Sequence, residues 1–171
     1  MVFQLTGLSG AGKTTLAYRV GQLLQSAGKT VVVLDGDEMR KQLSADLGFS
    51  RQDRLTHIQR IGRLVTSVSA QIVIIAAINP YREGRSYLES YCNAKLVWIK
   101  CSLDVLKERD TKGLYRRAQL PDNHPDKLNN LTGVNDPFDF PHHADYIIHT
   151  DTESPESSAL KLYGFIVAYT G

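Results

Sequence analysis

Lys13, Thr14, Asp35 and Asp37 are residue types that do chemistry, and the stretches around them say which. Lys13 and Thr14 sit in the run "GLSGAGKTT", residues 7–15, where Gly7, Gly10 and Gly12 precede them at G-x-x-x-x-G-K-T spacing. A loop of that kind turns its backbone N–H groups inward on a nucleotide's phosphates, and the helix behind it adds the positive end of its dipole. Lys13 then reaches the β- and γ-phosphates and the Thr14 hydroxyl ligates Mg²⁺, with Thr15 following in the same turn. The context fits: an apolar run, "VFQL", precedes the loop and the helical pattern "TLAYRVGQLLQSAG" follows it. "LDGDEMR" brings two carboxylates and Arg40 to the end of a second apolar run. Transfer of a phosphoryl group needs a side chain that orients or deprotonates the attacking hydroxyl and helps to hold the metal. Asp35, nearest the run, suits that task, and Asp37 suits contact with the acceptor. The competing use of either aspartate is a turn or a helix N-cap.

Two weaker constellations lie further along. "GFSRQDRLTHIQR" spaces Arg54, His57 and Ile61 at i, i+3 and i+7, with Phe49 in the preceding loop. Arg54 can fork onto a phosphate or sulfate and Phe49 can stack on a base; alone the signal is weak, since an exposed Arg on a helix is usually a solvated face and a loop Phe is usually core. "RDTKGLYRRA" sets Arg109, Lys112, Arg116 and Arg117 at the start of a segment suited to a cationic lid that closes over phosphates. His142 and His143 are adjacent, point apart on any regular element, and do not make a metal pair.

The elements that must position these residues follow from hydrophobic periodicity. Strands are predicted over residues 2–6 and in "TVVVLDGD", "QIVIIAAI", "AKLVWIKC" and "ADYIIHT", whose continuous apolar runs suit a parallel sheet buried on both faces. The first helix presents Leu16, Val20, Leu23 and Leu24 on one side and ends at Gly28. Helices are also predicted from Leu55 to Val68, through "REGRSYLESY", over "SLDVLKERD" with Ser102 as N-cap, and over "SPESSALKLYGFIVAYT". Residues 110–143 show little periodicity and read as the lid. The alternation predicts a doubly wound α/β fold with a five-stranded, mainly parallel sheet and helices on both faces, in one domain over 1–171. In such folds ligands bind outside the carboxyl ends of the strands. Gly7–Thr14, Asp35–Asp37, Asn79 and Arg109–Lys112 all fall there.

Bulk properties exclude several classes. A net charge of +2 over 171 residues is too balanced for a nucleic-acid binder. Cys92 and Cys101 have neither zinc-site nor disulfide-framework spacing and read as small apolar residues in a reducing compartment. No signal peptide or membrane-spanning run is legible, so a cytoplasmic protein without a membrane partner is expected.

Taken together, "GLSGAGKTT", "LDGDEMR", "DLGFSRQDR", "INPYREGR", "ERDTKGLYRRA" and "LTGVNDPF" resemble the adenylylsulfate (APS) kinase family in order and spacing, over roughly residues 3 to 140. The resemblance implies a P-loop kinase fold, MgATP as donor, phosphorylation of the ribose 3′-hydroxyl of APS to give 3′-phosphoadenylylsulfate (PAPS), and a homodimer. It implies ATP-phosphate and Mg²⁺ contacts at Lys13 and Thr14, the acidic pair at Asp35 and Asp37, with Asp35 meeting Mg²⁺ through water, and phosphosulfate contacts at Arg40 and Arg54. It further implies adenine stacking at Phe49, acceptor contacts around Ile78, Lys112 in the lid and Arg109 near the ATP base. Three positions depart from the family pattern. Asn79 replaces a serine often regarded as a phosphoserine intermediate, so activity here has to run by direct transfer. His57 replaces an asparagine on the substrate helix, and Leu131 replaces a phenylalanine that would form one face of the adenine sandwich. Two alternatives therefore stay open: a kinase of the same fold for another nucleotide-linked acceptor such as a cytidine diphosphoramidate, and a non-catalytic nucleotide-binding paralogue.

Overall fold

The structure, a computed structural model, describes residues 1–170. Strands β1 (Val2–Thr6), β2 (Val31–Asp35), β3 (Ile72–Ala76), β4 (Lys95–Lys100) and β5 (Tyr146–His149) form one sheet in the order β2-β3-β1-β4-β5. Every pairing is parallel. The apolar run of β3 is buried from end to end because both of its edges are paired and both of its faces are covered. Since β1 pairs with β3 on one side and β4 on the other, the chain changes direction across the sheet there, and a crevice opens at its carboxyl end.

Helix α1 (Lys13–Ser26) buries Leu16, Ala17, Val20 and Leu24 on one face of the sheet, where α7 (Pro155–Thr170) adds Leu162 and Ile166. Leu23, predicted on that stripe, is exposed instead. Gly28, at φ 79°, ends α1: its N–H donates to the Gln25 carbonyl and that of Lys29 to the Leu24 carbonyl. On the other face lie α3 (Arg51–Val65) and α4 (Arg82–Cys92), with Ile58, Ile61, Val65 and Leu88 over Val73 and Ile75. A capping box between Ser50 and Asp53 starts α3, which stops at Val65, short of Val68.

Three elements differ from the sequence expectation. Helix α2 (Gly36–Leu43) follows β2 directly, where hydrophobic periodicity predicts no helix. Helix α5 (Leu103–Arg109) does begin after Ser102, but the serine side chain does not cap it; the Ser102 N–H donates to Asp151. The lid segment contains a short helix, α6 (Leu114–Ala118), and a bridge between Thr132 and Asp136. Trp98 on β4 meets Phe140 of that segment at 5.9 Å between centroids, so beyond α4 the lid itself covers the sheet.

Candidate active site

The glycine loop between β1 and α1 needs its glycines. At Gly7 (φ 151°) a Cβ would stand 2.3 Å from the Ile99 carbonyl oxygen, and Gly12 takes φ 96° immediately before the helix. Lys13 folds back into the loop, its ammonium donating to the Gly7 and Leu8 carbonyls at 2.9 and 2.8 Å. Burial pushes the Lys13 ammonium down to about 8, against the raising pull of Asp37 and Asp35. A buried cation held at that cost, in a glycine loop at the start of α1, is placed for a polyanion.

Asp35 joins the loop to α2. Its Oδ2 accepts from the Thr14 hydroxyl at 2.5 Å, while Oδ1 accepts from the backbone N–H groups of Asp37 and Glu38. The helix-cap use of an aspartate therefore holds for Asp35, alongside its place beside Thr14. Both its oxygens are oriented by donors, which fixes the carboxylate without filling its acceptor capacity. Asp37, the second residue of α2, reaches outward and pairs with Lys112 of the lid at 2.6 Å. Partial burial raises the Asp37 carboxyl, but the Lys112 hydrogen bond and charge, with Lys13 and Arg40, outweigh it and leave it lowered.

These groups line a cleft of about 720 Å³ at the carboxyl ends of the strands. Gly10, Gly12, Lys13, Thr14, Thr15, Asp35, Asp37, Arg40, Phe49, Arg54, His57, Ile78, Asn79, Lys112 and Leu131 all border it, so six separated stretches of sequence converge there, whereas Gly7 does not border it. Arg40 and Arg54 bring their guanidinium carbons to 4.7 and 5.6 Å from the centroid of the half-exposed Phe49 ring. Arg54 also donates to the carbonyls of Phe49 and Asn130, tying α3 to the lid. Arg109 stands apart: its guanidinium donates to the Thr150 carbonyl, and the Thr150 hydroxyl donates to Ala11 behind the glycine loop, so it does not border the cleft.

Asn79 borders the cleft, and its side chain is taken up inside the fold. Its Nδ2 donates to Gln4 on β1, and its Oδ1 is buried without a partner, facing Gly84. The strand end adopts φ 41° there, and Arg85 holds it by donating to the Asn79 and Pro80 carbonyls. A serine in this place would share the inward direction. Asn79→Ser is expected to change turnover by no more than a few-fold, and single-turnover reaction with labelled ATP, omitting acceptor, to leave no acid-stable label on either protein. Label chased into product from the parent chain would overturn direct transfer.

Sequence reasoning missed three contributors. The Tyr115 hydroxyl of α6 donates to the Ser9 carbonyl of the glycine loop at 2.8 Å, and burial pushes it up to about 12. Thr132 borders the cleft with a buried hydroxyl that has no protein partner. Arg85 shapes the turn after β3. The motifs "KGLY", "LTG" and "REGR" contained all three, but periodicity assigns none of them a role. A second cavity of about 680 Å³, between β4 and residues 133–140, is bordered by none of the predicted site residues.

A sequence profile described as adenylylsulphate kinase matches residues 1–149. The adenylyl-sulfate kinase of Chloroflexus aurantiacus is 45% identical over 157 residues, covering 90% of this chain and 82% of that protein. That of Rippkaea orientalis is 40% identical, covering 93% and 87%. The Mycobacterium tuberculosis APS kinase, solved in complex with AMPPNP and APS, superposes with a TM-score of 0.87 at 28% identity over 97% of this chain and 98% of the other. With the glycine loop, the acidic pair and the lid in one cleft, the chain belongs to the adenylylsulphate kinase family.

Proposed function

We propose that this chain is an adenylyl-sulfate kinase of sulfate assimilation, transferring the γ-phosphoryl group of ATP to the 3′-hydroxyl of APS to give PAPS and ADP. One observation carries the reading: the Thr14–Asp35 contact joins the phosphate loop to the start of α2, so donor loop and acceptor-side charges share a single cleft. The glycine-loop N–H groups and Lys13 take the ATP phosphates; Arg40, Arg54 and Phe49 take the phosphosulfate and adenine of APS. Ile78 and Leu131 supply apolar contact, and the unpartnered Thr132 hydroxyl gains a partner. The 3′-oxygen attacks the γ-phosphorus in line as the bond to the β–γ bridging oxygen breaks and ADP leaves; Asp35 orients the hydroxyl and takes its proton. The Thr14 hydroxyl and Asp35 carboxylate are hard oxygen donors that fit Mg²⁺, Asp35 through water. Bound there, the ion neutralises charge on the β- and γ-phosphates. Arg109 meets the ATP base from beside Thr150, outside the cleft.

The Lys112–Asp37 bridge gives the lid its part. Both side chains are more than half exposed, so the pair is worth about 0–1 kcal/mol and yields readily to substrate. Lys112→Ala is expected to raise the KM for APS about 10-fold or more, with the Kd for ATP little changed; the two constants, measured side by side, check it. An unchanged KM would remove Lys112 from acceptor binding.

The whole reading is tested by coupled detection of ADP against a panel of acceptors that includes APS and a cytidine diphosphoramidate. APS-dependent turnover is expected. ATP binding without APS-dependent ADP formation overturns it, and turnover with the other acceptor alone reassigns the substrate. Among the described residues, no helix is long and apolar enough to cross a membrane. A cytoplasmic homodimer, as its family resemblance implies, is our reading of its assembly and place; light scattering in solution checks the dimer.

A further inference from the structure

His57 lies in the cleft wall, where the family resemblance would give it an acceptor contact. Its surroundings give it other work. The ring is buried, and its Nδ1 makes a 2.9 Å hydrogen bond with the Ser44 hydroxyl, which is wholly buried and does not border the cleft. Ser44 is the residue that ends α2, its N–H donating to the Arg40 carbonyl. At the other end of the same helix, Gly36 shares the cleft wall with His57, and its carbonyl lies close enough to the ring to favour a proton there. One imidazole on α3 therefore meets both ends of α2, the eight-residue helix that carries Asp37 and Arg40 and is capped by Asp35. One turn along α3, Arg60 strengthens the same joint by donating to the Leu43 carbonyl at 2.7 Å. A helix this short has little stability of its own, so its direction is set by what packs on it.

We propose that His57 is a positioning residue: through Ser44 and the Gly36 backbone it clamps α2 and so holds the Asp35–Asp37 turn against the glycine loop. Three observations support this over an acceptor contact. The Nδ1 partner is internal, that partner is wholly buried behind the cleft wall, and the ring packs on an element whose first residues carry the reacting charges. The environment also suits a neutral ring. Burial pushes His57 down to about 4, the Arg40 and Arg60 guanidinium groups push the same way, and the Gly36 carbonyl and Asp37 oppose them. An uncharged ring can stay in one hydrogen-bonded state across the working pH range.

The inference rests on the kinase reading, and the test separates the two. Parent-chain turnover with APS decides that reading first. Ring ¹⁵N NMR then examines His57 whether or not turnover is found: it should stay neutral down to about pH 5, change on Ser44→Ala, and keep its tautomer when APS is added. A ring that gains a proton or changes tautomer with APS overturns the clamp. In kinetics, at a temperature where each variant is folded by circular dichroism, Ser44→Ala should lower kcat about 2–10-fold, the worth of one buried hydrogen bond. KM for APS should rise as well, because Asp37 and Arg40 ride on the same helix. His57→Ala should lose more kcat, His57→Asn, whose amide overlays the Nδ1 edge, should lose less, and the Ser44→Ala/His57→Ala double variant should be no worse than His57→Ala alone. A normal kcat in Ser44→Ala, with His57→Ala raising only KM for APS, overturns the proposal.

Discussion

Lys13→Ala is expected to abolish phosphoryl transfer while leaving the fold intact. The lysine is the fixed cation of the glycine loop, and the charge that builds on the γ-phosphoryl oxygens in transit has no other buried ammonium to meet it. The fold survives because two effects of opposite sign nearly cancel. The folded protein holds Lys13 near 8, below its ordinary value of 10.5, so the neutral form is favoured by folding. The resulting penalty is fully present below about pH 8 and disappears as the pH rises past 10.5. At neutral pH it amounts to about 3 kcal/mol, which the substitution relieves. Against that stand the two lost bonds to the Gly7 and Leu8 carbonyls, each worth about 1.5–3 kcal/mol for a charged donor. Thermal melts should therefore place variant and parent within a few degrees at pH 7, and the parent should gain stability relative to the variant as the pH approaches 10. Near-normal turnover in Lys13→Ala would overturn the phosphate-cradle reading of the opening loop.

How much of this was legible in the sequence depends on how local each cause is. The sheet and the glycine loop were legible because a strand buried on both faces writes an unbroken apolar run, and a phosphate loop writes its glycines at fixed spacing. Helix α2 was not, because "GDEMRKQL" buries only Gly36 and Met39 and so has no apolar stripe to read. The inward turn of Asn79 depends on Gln4, 75 residues away, a buried polar side chain inside a stretch that reads as apolar. That glutamine was the visible signal, since a polar residue in a central strand requires a partner. Arg54 and Arg109 were legible as cations, but whether each one's donors face a ligand or a carbonyl is decided only by the packing of segments distant in sequence.

The second large effect belongs to Asp35→Asn, which separates the structural work of the carboxylate from its chemical work. Asparagine is as good an N-cap as aspartate, so the amide oxygen can still accept from the N–H groups of Asp37 and Glu38 and α2 keeps its start. The amide nitrogen then faces Thr14, whose hydroxyl must accept where it formerly donated. What cannot be replaced is the negative charge beside Thr14 and a site able to take the proton of the attacking hydroxyl. The expected result is a fall in kcat of about 10²-fold or more, with the Kd for ATP and the melting temperature close to those of the parent. Asp37→Asn should act differently, because Asp37 reaches the lid through Lys112 and does not touch Thr14. It should raise the KM for APS while kcat falls only modestly. Steady-state kinetics on both variants, with ATP binding measured separately, decides between the two aspartates. A kcat loss confined to Asp37→Asn would exchange their roles, moving the base two residues along the chain into the first turn of α2 and leaving Asp35 as cap and metal-side ligand alone.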